Sequence, residues 1–516
     1  MSSFLDKLLS YYHLDQEGYA DLLAQPSFSD LPSLENDDGA KKIIARLEKA
    51  RSAGERLLIY GDYDTDGIMA TSIMKKALSE YGIEAKTYLP SRYLDGYGLN
   101  EENAKRIVAS SYQLVLLVDN GVSASKGIEI LNEHGIDVLI IDHHEIVSEL
   151  PKNEGIVHPD TSHYPKPPVS AGYLSFLFSC LLLNRVDAYL LTLGALSTLS
   201  DMMPLKEHNR KIVKLALRSI QSNHYPQITD FLEKYKVTSE DLSMSLIPSI
   251  NAIGRMEEGN SINRLVHYFA DPYDQKSIQI AEWMKAVNEE RKALTKQAME
   301  RIEIDEEKPC VFYVGKLKEG LNGLLANRLL NQYKKPIVVL SEKEGDPSKL
   351  VGSIRSLPGF DVMEAFSLLK PYLLAGGGHP LAGGLTIKKD DLKAVEKELC
   401  SFALTHPIED KQEETIEILP EEINLENVRI LESFAPFGQE WKKPKFLLKG
   451  IDSNQLTFFK DGKYLGYRLE NGSRLFSFAL GSSSFAGKGI VNLKGEFRSS
   501  SFKGKTQAEF LAEEIA

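Results

Sequence analysis

A chain of 516 residues is too long for one ordinary core and predicts several compact domains, each able to bury an interior of its own. Apolar residues make up 42% and charged residues 26%, the proportions of a folded protein and not of a disordered or collagen-like one. The formal net charge of −12 argues against a protein that coats nucleic acid through a broad basic surface, while leaving room for a local basic groove.

The opening MSSFLDKLLSYYHLDQ has acidic residues and no basic segment followed by an apolar run, so it does not read as a secretory signal. Residues 1–39 form an N-terminal segment to which the sequence assigns no role. From about residue 40 to 210, β-rich runs alternate with helical patterns: LLIYGD, a helix through Ile68 to Tyr81, AKTYLP, LVLLVDN, a helix through Glu129, and DVLIIDHH. Apolar strands alternating with helices predict a parallel, doubly wound sheet, and such sheets bind ligands at the carboxyl ends of their strands. The most apolar stretch, Ala171 to Leu183, is too short to span a bilayer and predicts a buried helix. Cys180, Cys310 and Cys400 lie far apart with no C-x-x-C pair, which predicts reduced thiols in the cytoplasm.

The first α/β domain is expected over 40–273. Ile280, Met284, Val287, Leu294, Ala298 and Ile302 fall near helical spacing without Pro or Gly, predicting a long connecting helix within 274–305. PCVFYVG and PIVVLS then predict a second α/β domain over 306–405. From 415 to 516, short alternating strands separated by KDGK, ENGS and FKGK predict a small β-barrel of about five strands.

Three of the predicted strands end in groups that bind metals. Asp62, Asp64 and Asp66 follow LLIY, Asp119 ends LVLLVDN, and Asp142, His143 and His144 end DVLIIDHH. For a single Asp, a helix cap is the simpler account. Carboxylates packed this closely repel one another unless cations neutralise them, and a carboxylate and imidazole set without thiolate suits Mn²⁺ or Mg²⁺ better than structural zinc. Two such ions ~4 Å apart clamp the attacking and leaving oxygens of a phosphate ester, which points to hydrolysis. No P-loop or dinucleotide fingerprint competes for this sheet.

The ordered set YGDYDTDG, VDNG, DHH and GALSTLSDMMPL resembles the four motifs of the DHH phosphoesterase superfamily. Its YGDYD-x-DG form, with PSRYLDGYG, PSINAIGRM, NEERKALT, GSIRS, GGGHPLAGG and PFGQEWKKPKF in order, is similar to the RecJ branch over about residues 40–516. The resemblance implies a DHH phosphoesterase domain, a DHH-associated substrate-binding domain and an OB-fold. It also implies two ions: Asp64 and Asp119 on one, and Asp66, Asp119, His143 and Asp201 on the other. In this reading Asp119 bridges, Asp62 supports the first ion, His144 faces the scissile phosphate and Asp142 orients the imidazoles, so that Asp119, His143 and His144 are the catalytic residues.

For substrate, Arg92 and Tyr97 offer a donor and an aromatic platform, and the resemblance adds Asn251, Arg255, Ser353 and Arg355. Gly376, Gly377, Gly378 and His379 are expected to aim successive N–H groups and an imidazole at a phosphate. In the C-terminal region Lys442, Lys443, Lys445, Lys449, Arg468, Arg474, Lys488, Lys494, Arg498, Lys503 and Lys505 stand among Phe458, Phe459, Tyr464 and Tyr467, a pattern that fits a single-strand track on an OB-fold. Two departures from the branch are Lys316–Leu317, where Trp-His is common, and His158, where Asn is frequent.

The resemblance implies a 5′-to-3′ exonuclease on single-stranded DNA in recombination and repair, with a single-strand-binding protein and a helicase as partners and no membrane. A phosphodiesterase for short oligonucleotides or cyclic dinucleotides is the related alternative. A nucleic-acid-binding scaffold without catalysis is the alternative of another class.

Overall fold

The computed structural model describes residues 3–92, 95, 98–162, 164, 167–257, 260–409, 414–502 and 505–516. It divides into two compact units, Ser27–Asp410 and a second made of Met1–Pro26 with Lys411–Ala516. Among the described residues no helix is long and apolar enough to cross a membrane.

The second unit gives the first part of the N-terminal segment, up to Pro26, a place. Helices α1 (Phe4–Tyr11) and α2 (Gln16–Leu23) turn Phe4, Leu8, Leu9 and Leu22 into the same core as Phe434, Phe446 and Phe497. Tyr12 stacks on Trp441 at 4.4 Å and on Phe434 at 5.1 Å between ring centroids.

The larger unit contains α3 (Asp38–Ala53) and a sheet made of β1 (Leu57–Tyr60), β2 (Lys86–Tyr88), β3 (Leu114–Val118), β4 (Asp137–Ile141) and β5 (Gly155–Val157). The strands are parallel in the order β2-β1-β3-β4-β5. β1 and β3 are apolar and buried throughout because both of their faces are covered. The helices between the strands are α4 (Thr65–Tyr81), α5 (Glu101–Val108) and α6 (Ser125–Glu133). Helix α7 (Ala171–Leu183) and helix α8 (Ala188–Ser200) pack on α4, and α7 is apolar nearly all round because it lies inside the protein.

The 27-residue helix Gln275–Arg301 is capped by Asp274, whose side chain accepts from the Ser277 N–H. Beyond it lies a mixed sheet of β6 (Val311–Gly315), β7 (Ile337–Lys343), β8 (Asp346–Arg355), β9 (Leu373–His379) and β10 (Ala382–Lys388), ordered β6-β7-β8-β10-β9.

The C-terminal sheet comprises β11 (Thr415–Ile418), β12 (Lys445–Asp452), β13 (Phe458–Phe459), β14 (Tyr464–Arg468), β15 (Arg474–Ser477), β16 (Ile490–Phe502) and β17 (Lys505–Ile515). Seven strands stand where about five were expected, ordered β11-β12-β16-β17-β15-β14-β13. The added members are the short edges: β11 joins β12 in parallel and β13 spans two residues, too brief to announce themselves by alternation.

Candidate metal centre

The site is assembled where β1, β3 and β4 end and where α8 stops. Asp64 is the N-cap of α4 and accepts from the Gly67 N–H at 3.2 Å, so the plain capping role and a place in the cluster belong to the same residue. Gly67 lies inside the first turn of α4. A Cβ there would stand 2.6 Å from the Asp62 backbone N and O, so glycine is required by close approach. Asp119 holds a left-handed backbone at φ 60°, uncommon for a residue with a Cβ and the kind of strain that marks functional positions.

Ligand atoms of Asp62, Asp64 and Asp119 lie within 4.8 Å of one another, as do those of Asp66, His143 and Asp201, and those of Asp119, His143 and His144. His143 Nε2 is 3.2 Å from Asp119 Oδ1, 3.5 Å from Asp66 Oδ2 and 3.6 Å from Asp201 Oδ2. Asp66 is aimed by the N-terminus of α7: its oxygens accept from the Ala171 and Gly172 N–H groups at 2.9 and 2.8 Å, and the Ser197 hydroxyl donates to it as well.

Burial, then the neighbouring carboxylates, push Asp62, Asp64 and Asp119 above their ordinary range, and the same causes raise Asp201 to about 8. Asp62 Oδ1 and Asp119 Oδ1 are buried with no hydrogen-bond partner. Buried carboxylates of one sign with orphaned oxygens fit divalent cations in this cluster.

Asp142 is built differently. Its oxygens accept from the N–H groups of His143, His144 and Val122 and from His144 Nδ1 at 2.8 Å. Burial raises this carboxyl, but the hydrogen bond and charge of His144 outweigh it and leave Asp142 at about 2. Burial opposes the charge on His144, yet Asp142 holds its pKa up at about 9. His158 explains its own departure from the family pattern. Its Nδ1 accepts from the Asp160 N–H at 3.2 Å, so Nε2 carries the proton and donates to the His144 carbonyl oxygen at 2.8 Å.

Beside the carboxylates lies a group of arginines. Arg92 is exposed, 5.4 Å from the Tyr63 ring, and its charge, after burial, lowers the pKa of both Arg255 and Arg355. Arg255 falls to about 10, with Arg291 contributing, and Arg291 is lowered in turn by burial and then by Arg328. Guanidinium groups this near one another call for anions. Arg291 and Arg328 were not among the sequence candidates. The signal was available for Arg291, which lies in NEERKALT three residues after Asn288 and whose Nε donates to that residue's Oδ1 at 2.9 Å.

The second domain reaches this group through its 318–323 segment. Lys318 Nζ donates to the Met256 carbonyl at 2.8 Å, and a Cβ on Gly320 would stand 2.3 Å from the Arg255 carbonyl oxygen. The segment containing Lys316 and Leu317 thus continues into a docking strap. Ser353 and Arg355 flank Gly323, at 3.3 and 2.8 Å from where its Cβ would be.

Other expectations change. Asn251 turns its Oδ1 to Thr65 rather than to the cleft. Gly376, Gly377, Gly378 and His379 form no run of convergent amides: they are extended in the exposed edge strand β9, where alternate N–H groups face away from β10. Among the described residues no hydrogen bond, ion pair or ring contact joins that strand to the carboxylates. Tyr97 lies outside the described residues.

In the C-terminal unit five of these basic residues are paired with glutamates. Lys445 meets Glu496 and Glu513, Lys449 meets Glu417, Lys494 meets Glu514, and Arg474 and Arg498 share Glu509. What stands out instead is aromatic: Phe459, Tyr464, Phe476 and Phe478 form a connected cluster, with Phe478 65% exposed.

Three family models match in sequence order: the DHH family N-terminal domain over residues 56–184, the DHHA1 domain over 307–404 and the RecJ OB domain over 416–514. The chain is 30% identical over 428 residues to the single-stranded-DNA-specific exonuclease RecJ of Bacillus subtilis, covering 80% of this chain and 54% of that protein. It is 27% identical over 484 residues to RecJ of Thermus thermophilus, covering 92% and 70%. This chain therefore spans about half the length of the Bacillus relative. The crystal structure of Thermus thermophilus RecJ in complex with Mn²⁺ superposes with a TM-score of 0.85 at 22% identity, over 99% of this chain and 76% of that one. The three matches, in one order and together covering more than half of the residues, make this chain a member of the RecJ family within the DHH superfamily.

Proposed function

We propose that this protein hydrolyses phosphodiester bonds of single-stranded DNA from the 5′ end, using two divalent cations, Mn²⁺ or Mg²⁺. The observation that carries the reading is the convergence of Asp62, Asp64, Asp66, Asp119, His143 and Asp201 beside a row of arginines. Family relatives named as single-stranded-DNA-specific exonucleases, and solved RecJ structures with Mn²⁺ and with Mg²⁺, support it.

Asp64 and Asp119, with Asp62 beside them, hold one ion; Asp66, Asp119, His143 and Asp201 hold the other. When bound, the ions supply Lewis acidity and a water of lowered pKa. Asp119, common to both sets, would hold both ions. Asp142 keeps His144 protonated, so the imidazolium faces the scissile phosphate as a donor to its charge. Arg92, Arg255, Arg291, Arg328 and Arg355 bind backbone phosphates without reading sequence, and Ser353 adds a hydroxyl. The aromatic cluster of the OB domain stacks bases of the strand. Within this reading the protein works in the cytoplasm, in recombination and repair, beside a single-strand-binding protein and a helicase.

Strands labelled at either end, digested over time with each metal, test the activity. Release of the 5′ label first supports the reading; release of the 3′ label first overturns the polarity, and no release with either ion overturns the activity.

A further inference from the structure

A cavity of about 630 Å³ opens beside the metal centre, among Leu99, Asn120, Val122, Lys126 and His144. Its position follows from the sheet. In the order β2-β1-β3-β4-β5 the chain passes from β1 to one side and then returns to the other, so the connections after β1 and β3 diverge and leave a crevice beyond their carboxyl ends. Asp62 follows β1 and Asp119 follows β3, so these two carboxylates stand on either side of that crevice. The cavity continues it toward α5 and α6. Among the described residues none of the five arginines lines it, so it is separate from the phosphate-binding row.

Its walls are chemically mixed. Leu99 and Val122 supply apolar surface. Asn120 is 4% exposed; its Nδ2 donates to the carbonyls of Tyr60 and Val118, and its Oδ1 has no partner, leaving a buried acceptor. Helix α6 starts with no side-chain cap, and its first residues, Ser125, Lys126 and Gly127, line the cavity, so unsatisfied N–H groups gather there. A Cβ on Gly127 would stand 2.5 Å from the Leu99 carbonyl oxygen, which shows how closely α6 abuts the 98–100 segment at this end.

This volume lies in the range of small-molecule sites, and a phosphate ion alone would leave most of it unfilled. An apolar wall, an amide acceptor and N–H donors, all next to His144, match a nucleoside: an apolar ring face with polar edges, joined to a sugar. We infer that this cavity seats the nucleoside next to the scissile phosphate, on the side away from the arginines, so that the site recognises a base and sugar as well as the phosphate chain. The inference rests on the phosphodiesterase reading for the position of that phosphate.

Calorimetry on the Mn²⁺-loaded full chain tests it with two probes, a deoxynucleoside 5′-monophosphate and deoxyribose 5-phosphate, which lacks the base. The monophosphate is expected to bind about tenfold or more tightly than the baseless sugar phosphate, a difference of ~1.4 kcal/mol. Ser123 and Ser125 are exposed wall positions, so Ser123→Trp and, separately, Ser125→Trp place a ring in the cavity without entering the core. Each should reduce monophosphate affinity to that of the sugar phosphate and leave the latter unchanged. Equal affinity for the two probes in the unmodified protein, or unchanged monophosphate affinity in both folded variants, overturns the inference. Hydrolysis of a single-stranded oligonucleotide is measured in parallel: its absence counts against the proposed activity, while the two probes still decide the cavity.

Discussion

Asn251 Oδ1 accepts two hydrogen bonds from Thr65, one from the backbone N–H at 3.0 Å and one from the hydroxyl at 2.9 Å. Thr65 stands between Asp64 and Asp66, so a residue on the helix Ile247–Met256 fixes the backbone that carries two candidate ligands. Asn251→Ala is expected to weaken Mn²⁺ binding by ~10- to 100-fold, as loss of an outer support typically does. Titration calorimetry with Mn²⁺ reads this directly. An unchanged metal affinity together with weakened DNA binding would return Asn251 to the substrate role that the sequence implied.

Asp119 contributes to two of the three ligand groupings, so removing its carboxylate should dismantle the site. Asp119→Asn, which tolerates the left-handed backbone, should fold and bind single strands while hydrolysis falls by ~10³-fold or more, a barrier increase of ~4 kcal/mol. Circular dichroism and strand binding check the fold, and a quenched-fluorophore assay reads the rate. Turnover near that of the unmodified protein would remove Asp119 from its bridging place.

Without metal, the carboxylates are a liability whose sign can be worked out. Asp201 titrates at about 8 in the folded protein, above its value in the unfolded chain. A carboxyl raised by folding favours the native state below its unfolded pKa and loses that contribution as pH rises through the folded value. In EDTA, therefore, Tm should rise as pH is lowered from about 8 toward 6. Mn²⁺ added at pH 8 should restore the stability lost, and a scan in which EDTA leaves Tm flat across this window would contradict the account.

In the proposed reading Arg255 and Arg291 belong to the phosphate row, not to the ligand set. Arg255→Ala and Arg291→Ala should each raise KM and reduce the salt slope of single-strand binding by about one contact, since each phosphate contact releases counterion. Mn²⁺ affinity should stay unchanged in both, which separates them from Asn251→Ala.

The 318–323 segment lies against the Arg255 backbone, and in the proposed reading it is one wall of a narrow approach to the centre. Blunt duplex is expected to be cut on the order of tenfold or more slowly than a single strand, with a 5′ overhang digested to the junction. A fragment spanning 27–409 should cleave short strands and bind long ones poorly. Deleting 415–516 alone is a different experiment, because it leaves Phe4, Leu8, Leu9 and Leu22 without their packing, at ~1.5 to 3 kcal/mol for each side chain exposed. Equal rates on duplex and single strand would refute the narrow approach.

The carboxylates after β1 and β3 and the histidines after β4 were legible because apolar strands announce themselves and ligands follow them within a few residues. Asp201 was not: it ends α8, a helix whose sequence gives no reason to choose it, and only the family pattern singled it out. The direction of Asn251, the clash that forces glycine at 67 and the edge position of Gly376 to His379 all depend on contacts between distant segments. Such contacts leave no period in the chain. The pairing of Lys445, Lys449 and Lys494 was hidden because their glutamate partners, Glu417, Glu496, Glu513 and Glu514, lie on neighbouring strands rather than nearby in sequence.

The packing of α1 and α2 on the C-terminal sheet has a consequence for how the protein is made. These helices leave the ribosome well before the C-terminal surface that buries Phe4, Leu8, Leu9 and Leu22 is synthesised. At about 5 to 20 residues per second, the apolar faces of the two helices wait on the order of tens of seconds for their partner while the larger unit is still emerging. During that interval they are a natural station for a chaperone, and a nascent chain stalled before Thr415 should expose them to protease, whereas the released protein should not.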